Sequence, residues 1–351
     1  MKLTRVEIEN FKGIRKLELD LRGSDGQPRP LTLLLGDNGS GKTSALQAIA
    51  LVLSMASRRI ERASDFAWPG FLAERVGSLG PTRVALEVAF DAEERQATRE
   101  LDKLWAPLAH RELRHSPNPA DSPTVSLVFE RDRLPVATSE TAQFLGRWYI
   151  RTLVRSRPDL RERFPEVGDV FWFDQNRSNQ TAAGTVEETP EPPGIERLRD
   201  FLVGWWAFHT SPGKRGIDYL GTLEQRYAEL FPGSKFVGVA PREFATATRA
   251  TESYFLIERD GKRYDIAEMS SGEQAVFPIL YEFVRLSIAK SVVLIDELEL
   301  HLHPPEQQAL LAALRRIGPD CQFICTTHSP YLEQVTPEEN EIRLPGGRPC
   351  L

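Results

Sequence analysis

Gly36-Asp37-Asn38-Gly39-Ser40-Gly41-Lys42-Thr43 joins flexible backbone, a cation and a hydroxyl in one short stretch. It follows the apolar run Leu31–Leu35 and precedes a helical pattern from Ser44 to about Leu53. Strand, glycine-rich turn and helix in that order make a phosphate cradle. The glycines let the backbone turn so that successive N–H groups converge, and the helix N-terminus adds partial positive charge. Asn38, Gly39, Ser40, Gly41 and Ser44 then surround the phosphates, Lys42 reaches the β- and γ-phosphates, and Thr43 offers its hydroxyl to Mg²⁺.

A second acidic element lies far along the chain. Val292-Val293-Leu294-Ile295 is a continuous apolar run, as in a strand buried on both faces, and it ends in Asp296-Glu297. Beside a phosphate cradle, Asp296 is placed to hold Mg²⁺ and Glu297 to polarise a water for in-line attack on the γ-phosphate. Between the two comes Met269-Ser270-Ser271-Gly272-Glu273-Gln274, ahead of a helical pattern. A serine hydroxyl, a flexible turn and a helix start can bind an anion. The same residues also satisfy an ordinary serine N-cap with Glu273 in the first turn. Thr326-Thr327-His328-Ser329-Pro330 follows a further buried strand, and Gln175 follows the short apolar strand Val170–Phe173. His301 and His303 lack a third ligand and make a poor metal site.

Met269–Gln274 resembles the Leu-Ser-Gly-Gly-Gln signature of ABC-type ATPases, departing at the Met and at the second Ser. His328 resembles their switch histidine, Gln175 their Q-loop glutamine, and Glu299–Pro304 their D-loop. Ile8-Glu9-Asn10-Phe11-Lys12-Gly13-Ile14 is similar to the opening strand-turn-strand of RecF, the SMC heads and the OLD-family ATPases. Asp296 to Pro304 is close to the D-E-x-E-x-x-L-H-P pattern of OLD-like and anti-phage ATPases. The resemblance covers roughly 1–60 and 165–345. It implies ATP and Mg²⁺ as cofactors, with ATP hydrolysed by Glu297, His328 and Gln175. Thr43, Asp296 and Gln175 would serve the metal, and Lys12 would join the nucleotide contacts. It also implies that Ser270, Gly272 and Glu273 bind the γ-phosphate held by another subunit, so that two ATP are sandwiched in a homodimer.

The expected fold class is α/β: an ABC-ATPase head, with a parallel P-loop sheet, flanking helices and an N-terminal antiparallel β subdomain, plus an inserted helical lobe. The head is expected over 1–60 and 165–351, helical insertions over 92–165 and 195–235, and a mobile loop over the Thr/Glu/Pro-rich 178–194. Strands are expected over Thr82–Phe90 and Val125–Glu130, with helices over Glu93–Glu112 and Glu140–Val154. Trp205 and Trp206 lack basic flanks and read as lobe core. Of the three cysteines, Cys321, Cys325 and Cys350, the first two read as small apolar core residues.

With 351 residues, 41% hydrophobic and 27% charged, the composition is that of a globular protein. Lys plus Arg total 44 against 50 for Asp plus Glu, a formal net charge of −6, which argues against wholesale nucleic-acid coating. The opening passes straight into a strand pattern, and no apolar run reaches a membrane span, so a cytoplasmic protein without a membrane partner is expected. The stretch between cradle and signature is too short for an SMC coiled coil, and that after His328 is too short for a Toprim nuclease domain. The expectation is therefore a nucleotide-driven switch for a separate effector, a nuclease or toxin, in anti-phage defence. The alternatives are a RecF-like repair ATPase on duplex DNA, through Arg151, Arg155, Arg157, Arg161 and Arg163, and a nucleotide-binding interaction module with little turnover.

Overall fold

The computed structural model describes residues 1–108, 118–134, 139–174, 196–213, 216–242 and 253–344. The expected mobile loop 178–194, Gln175 and Cys350 lie outside the described residues. Strands β1 (Lys2–Phe11), β2 (Ile14–Asp20), β4 (Arg83–Ala89) and β5 (Thr124–Glu130) form an antiparallel sheet in the order β2-β1-β4-β5. Strands β3 (Leu31–Leu35), β6 (Val170–Phe173), β10 (Val292–Ile295), β11 (Gln322–Thr327) and β12 (Glu341–Arg343) form a parallel sheet in the order β12-β3-β11-β10-β6. A third, antiparallel sheet joins β7 (Ser234–Pro241), β8 (Ser253–Arg259) and β9 (Lys262–Asp265). The hydrophobic strand periodicities account for this. Alternation gives β1 one buried face, whereas the unbroken apolar run of β10 is buried on both.

Helix α1 (Lys42–Ala56) is the wall shared by the first two sheets. Leu46, Ile49, Leu51 and Leu53 pack in one core with Leu3, Val6, Val84 and Phe129 of the antiparallel sheet, and with Val292, Leu294 and Ile324 of the parallel one. The opposite face of the parallel sheet offers Leu33, Phe171, Val293, Ile295 and Phe323 to a second core. That core is covered by α4 (Glu196–His209), α5 (Tyr219–Leu230), α6 (Ser271–Arg285), α7 (Pro304–Ile317) and α8 (Pro330–Val335). Trp205 and Trp206 pack against it, Trp205 stacking on Tyr219 and Tyr281 at 5.2 and 5.0 Å. Cys321 and Cys325 are buried there and form no disulfide. A small third core lies between α2 (Ala92–Trp105) and α3 (Gly146–Leu153).

The segment 92–165 is not helical throughout, because β5 leaves it to pair with β4 along its whole length. The helix expected over Glu93–Glu112 ends at Trp105, where Pro107 removes a backbone donor and crowds the preceding turn. That over Glu140–Val154 divides into a 3-10 turn, Thr141–Leu145, and α3, with Gly146 closely packed against Val167 and Thr98. The five arginines of the expected DNA track share no helix face either: the chain after α3 passes through 3-10 turns with Pro158 and Pro165. Arg151 binds Asp169, Arg157 binds Asp159, and Arg163 binds Glu100 and Glu166, which neutralises much of the run.

Candidate functional site

The parallel register aligns the carboxyl ends of β3, β11 and β10. Leu35 is level with Thr327, and Ile295 with Cys325, so the loops that follow emerge on one edge. Ligands of open α/β sheets bind outside this edge. The cradle leaves β3 at Gly36 and enters α1 through Gly41, whose φ of 95° is left-handed. A Cβ at Gly41 would also stand 3.0 Å from Cγ1 of Ile14, so glycine is required there for both backbone and space. No side chain caps α1, which leaves its first N–H groups directed at the edge. The buried Lys42 ammonium donates to the carbonyl oxygens of Gly36 and Asp37, at 2.6 and 3.1 Å.

Thr43 Oγ1 lies 3.0 Å from both carboxylate oxygens of Asp296. Thr326 Oγ1 donates to Asp296 Oδ1 at 2.7 Å and accepts the Glu297 N–H at 2.7 Å. One hydroxyl thus holds the buried acid and the backbone of the next. Glu297 sits at φ 50°, a left-handed conformation uncommon for a residue with a side chain and frequent at functional sites. The His328 N–H donates to Glu299 Oε1 at 2.5 Å, which ties the turn after β10 to the turn after β11.

These groups enclose a cavity of about 250 Å³. Asn38, Gly39, Gly41, Lys42, Thr43 and Ser44 line one side, and Asp296, Glu297 and His328 the other. Gly13 and Thr326 line it too; both stand in stretches singled out in the sequence, but neither was given a role of its own there. For Thr326 a signal existed: a hydroxyl on a strand buried on both faces needs a polar partner. Ser40 does not line the cavity, and its buried hydroxyl makes no hydrogen bond among the described residues. A mononucleotide phosphate chain fits a cradle of converging N–H groups with a lysine, and Mg²⁺ fits the hydroxyl–carboxylate pair, since it is commonly held by one or two carboxylates together with phosphates. No group of three or more His, Cys, Asp and Glu poised for a metal occurs among the described residues.

Two expected nucleotide contacts are engaged elsewhere. Lys12 does not line the cavity; its ammonium donates to Gln47 Oε1 at 2.7 Å and to the Gly70 carbonyl at 3.1 Å, and burial lowers its pKa. Glu273 turns inward, where it accepts from Ser270 and two tyrosines, so its carboxylate does not face an anion. Ser270 is exposed at the N-cap of α6, Gly272 is buried against the Glu306 carboxylate, and neither lines the cavity. The capping box of Ser270 and Glu273 is present. Gln175 lies outside the described residues.

Thr326→Val keeps the shape and removes the hydroxyl. We expect kcat for ATP hydrolysis to fall about 10- to 100-fold, because both acids lose their common anchor, with a smaller change in KM. Steady-state phosphate release checks this, and an unchanged kcat would remove Thr326 from the site.

The family described as "AAA domain, putative AbiEii toxin, Type IV TA system" matches residues 147–332, and that described as "AAA ATPase domain" matches 1–103. The chain is similar to the retron Ec83 probable ATPase of Escherichia coli, with 28% identity over 99% of this chain and 72% of that protein. It is 24% identical to the Septu protein PtuA of Bacillus mycoides over 93% of this chain, which spans only 38% of that longer relative. Against the DNA replication and repair protein RecF of Heliobacterium modesticaldum the identity is 24%, over 97% of this chain and 95% of the other. An SMC head solved with the C-winged helix domain of ScpA superposes with a TM-score of 0.51 at 14% identity, covering 98% of this chain and 94% of that one. That likeness concerns the fold: an ABC-ATPase head. No helix among the described residues is long and apolar enough to cross a membrane.

Proposed function

Because the chain belongs to this AAA family and is an ABC-type ATPase of the RecF/SMC-like branch, we propose that it is a Mg²⁺-dependent ATP-driven dimer switch. Two copies face each other, each cradle meeting the Ser270–Gly272 turn of its partner. One observation carries this reading: Ser270 is exposed at a helix start, and no signature residue reaches the cavity of its own chain. The half-site on each copy is completed by the other half-site on the second copy. The isologous pairing of a two-fold dimer supplies this twice.

In the proposed roles, the loop N–H groups and Lys42 bind the β- and γ-phosphates. Lys42 leaves the Gly36 and Asp37 carbonyls to do so. Thr43 and Asp296 hold the metal, whose charge offsets that of the phosphates. Glu297 accepts a proton from the attacking water, oriented by a backbone that Thr326 fixes. His328 contacts the γ-phosphate, and Glu299 holds its backbone. Ser270 and the α6 N-terminus bind the phosphate from the facing copy. ATP binding to both halves favours the closed dimer, and hydrolysis releases it.

The partner we propose is a separate effector, a nuclease or toxin, in anti-phage defence. The support is the retron and Septu names of similar proteins and the toxin name of the family. A second reading, a RecF-like ATPase on duplex DNA, is favoured by the match along nearly the whole of RecF. It is weakened by the carboxylates that neutralise Arg151, Arg157 and Arg163. Capture with tagged Glu297→Gln, with and without ATP, separates the two. Recovery of a stoichiometric toxic protein supports the first. Recovery of DNA and recombination proteins alone supports the second.

Mixing two inactive variants tests the composite site. Lys42→Ala disables one cradle and Ser270→Arg one signature. Their mixed dimer retains a single intact site, so ATPase activity should return on mixing, to no more than about half that of the wild-type dimer. Absence of any recovery, with mixed dimers demonstrated, would show that cradle and signature do not meet between copies.

A further inference from the structure

We infer that Tyr227 on α5, assisted by Tyr264 on β9, is a positioning residue for the signature serine: through the Glu273 carboxylate the two phenols hold Ser270 ready for an anion on a second copy of the chain. This rests on the composite site proposed above. The Glu273 carboxylate is buried at 4% exposure. Its Oε1 accepts the Tyr227 hydroxyl at 2.6 Å and the Tyr264 hydroxyl at 2.8 Å. Its Oε2 accepts the Ser270 N–H at 2.9 Å and the Ser270 hydroxyl at 2.8 Å. The Arg259 guanidinium stands 3.7 Å from Oε1. Burial pushes the carboxyl pKa up, but the tyrosine and serine donors outweigh it and hold the group below its ordinary value, so it stays ionised.

The consequence concerns a single proton. A serine hydroxyl has one to donate. In the free chain it goes inward, to Glu273 Oε2. To bind a phosphate oxygen, Ser270 must turn that proton outward, and Glu273 then loses a donor in a buried place. A carboxylate left short of donors there is costly. The two phenols and the Ser270 N–H remain, and they keep the carboxylate satisfied while the hydroxyl is lent to the anion. Tyr227 is fully buried, packed edge-on against Phe277 of α6 at 5.6 Å, so its hydroxyl is held in place from the segment outside the parallel sheet. The geometry of the signature therefore depends on α5, far from it in sequence.

The test uses the full chain in the Glu297→Gln background, so that hydrolysis does not dissolve the dimer. Tyr227→Phe removes one hydroxyl and keeps the ring. We expect the ATP-dependent dimer to dissociate about 10- to 100-fold more readily, as for loss of a hydrogen bond to a charged group. The affinity of the monomer for a fluorescent ATP analogue should stay within about twofold, since the cradle is untouched. Tyr264→Phe should show a smaller effect of the same kind. Leu223→Ala, on the same helix with a fully buried side chain, serves as the control for general loosening. Dimerisation of Tyr227→Phe equal to that of its parent would overturn the inference. So would Leu223→Ala weakening the dimer as much for an equal loss of melting temperature. If the parent itself fails to dimerise with ATP, the composite site falls and takes this inference with it.

Discussion

Glu297→Gln is expected to bind ATP normally and to hydrolyse it about 10²- to 10⁴-fold more slowly, the range that a positioned general base contributes. The substitution is nearly isosteric, so the left-handed backbone and the N–H bond to Thr326 are kept. What is lost is a carboxylate on the cavity wall that can accept a proton. Asp296 cannot substitute, because its oxygens are engaged by Thr43 and Thr326. The same variant should accumulate as an ATP-bound dimer, visible by light scattering, because binding is intact and exit is blocked. Single-turnover phosphate release measures the chemical step. A rate equal to wild type would exclude Glu297 as the base.

Asp169→Asn is expected to cost about 3–5 kcal/mol of stability, as when one partner is removed from a buried ion pair. Asp169 and Arg59 are 2% and 1% exposed and meet at 2.8 Å, and Arg151 adds a third contact at 3.3 Å. Arg147 is buried nearby, donating to the carbonyls of Leu286, Ser287 and Phe164. Burial lowers the guanidinium pKa of Arg147 to about 9 and that of Arg59 to about 10, so both are charged at neutral pH. Neutralising the acid leaves two buried cations without a counter-charge.

The acid itself has a definite pH signature. Burial pushes the Asp169 carboxyl up, but Arg59, Arg151 and Arg147 together outweigh this and hold it below its ordinary value. A folded pKa below the unfolded one means that the stabilisation is fully present above the unfolded value of about 3.9. It is lost as pH falls through the lower folded value. Urea midpoints should therefore show this contribution constant from neutral pH down to about 4 and fading below it, with Asp169→Asn lacking that fading component. A variant as stable as wild type at pH 7 would remove the network from any account of the core.

The parts of the site that were legible in the sequence are those the backbone dictates. Gly41 must take a left-handed φ and leave room for Ile14, and the apolar Val292–Ile295 must be a strand covered on both faces. Each is a local requirement written in adjacent residues. The parts that were not legible depend on partners far away in the chain. Glu273 turns inward because Tyr227, 46 residues earlier, donates to it. Lys12 is captured by Gln47 on α1, and Arg59 by Asp169, 110 residues on. The pairing of β4 with β1, and of β5 with β4, is equally non-local, so alternation marked them as strands without saying which sheet they join. The basic stretch from the end of α3 onward looked continuous in sequence, but its acidic partners lie on other elements as well as beside it.

The position of α1 has a consequence for how the chain comes apart. Its side chains belong at once to the antiparallel sheet and to the parallel one, so neither sheet can melt without uncovering the same helix. The two layers should unfold as one cooperative unit, with coincident transitions by fluorescence and circular dichroism. A phosphate held at the start of that helix is then coupled to the whole unit. Nucleotide at about 100 times its dissociation constant should add about 2.7 kcal/mol to unfolding of both sheets together.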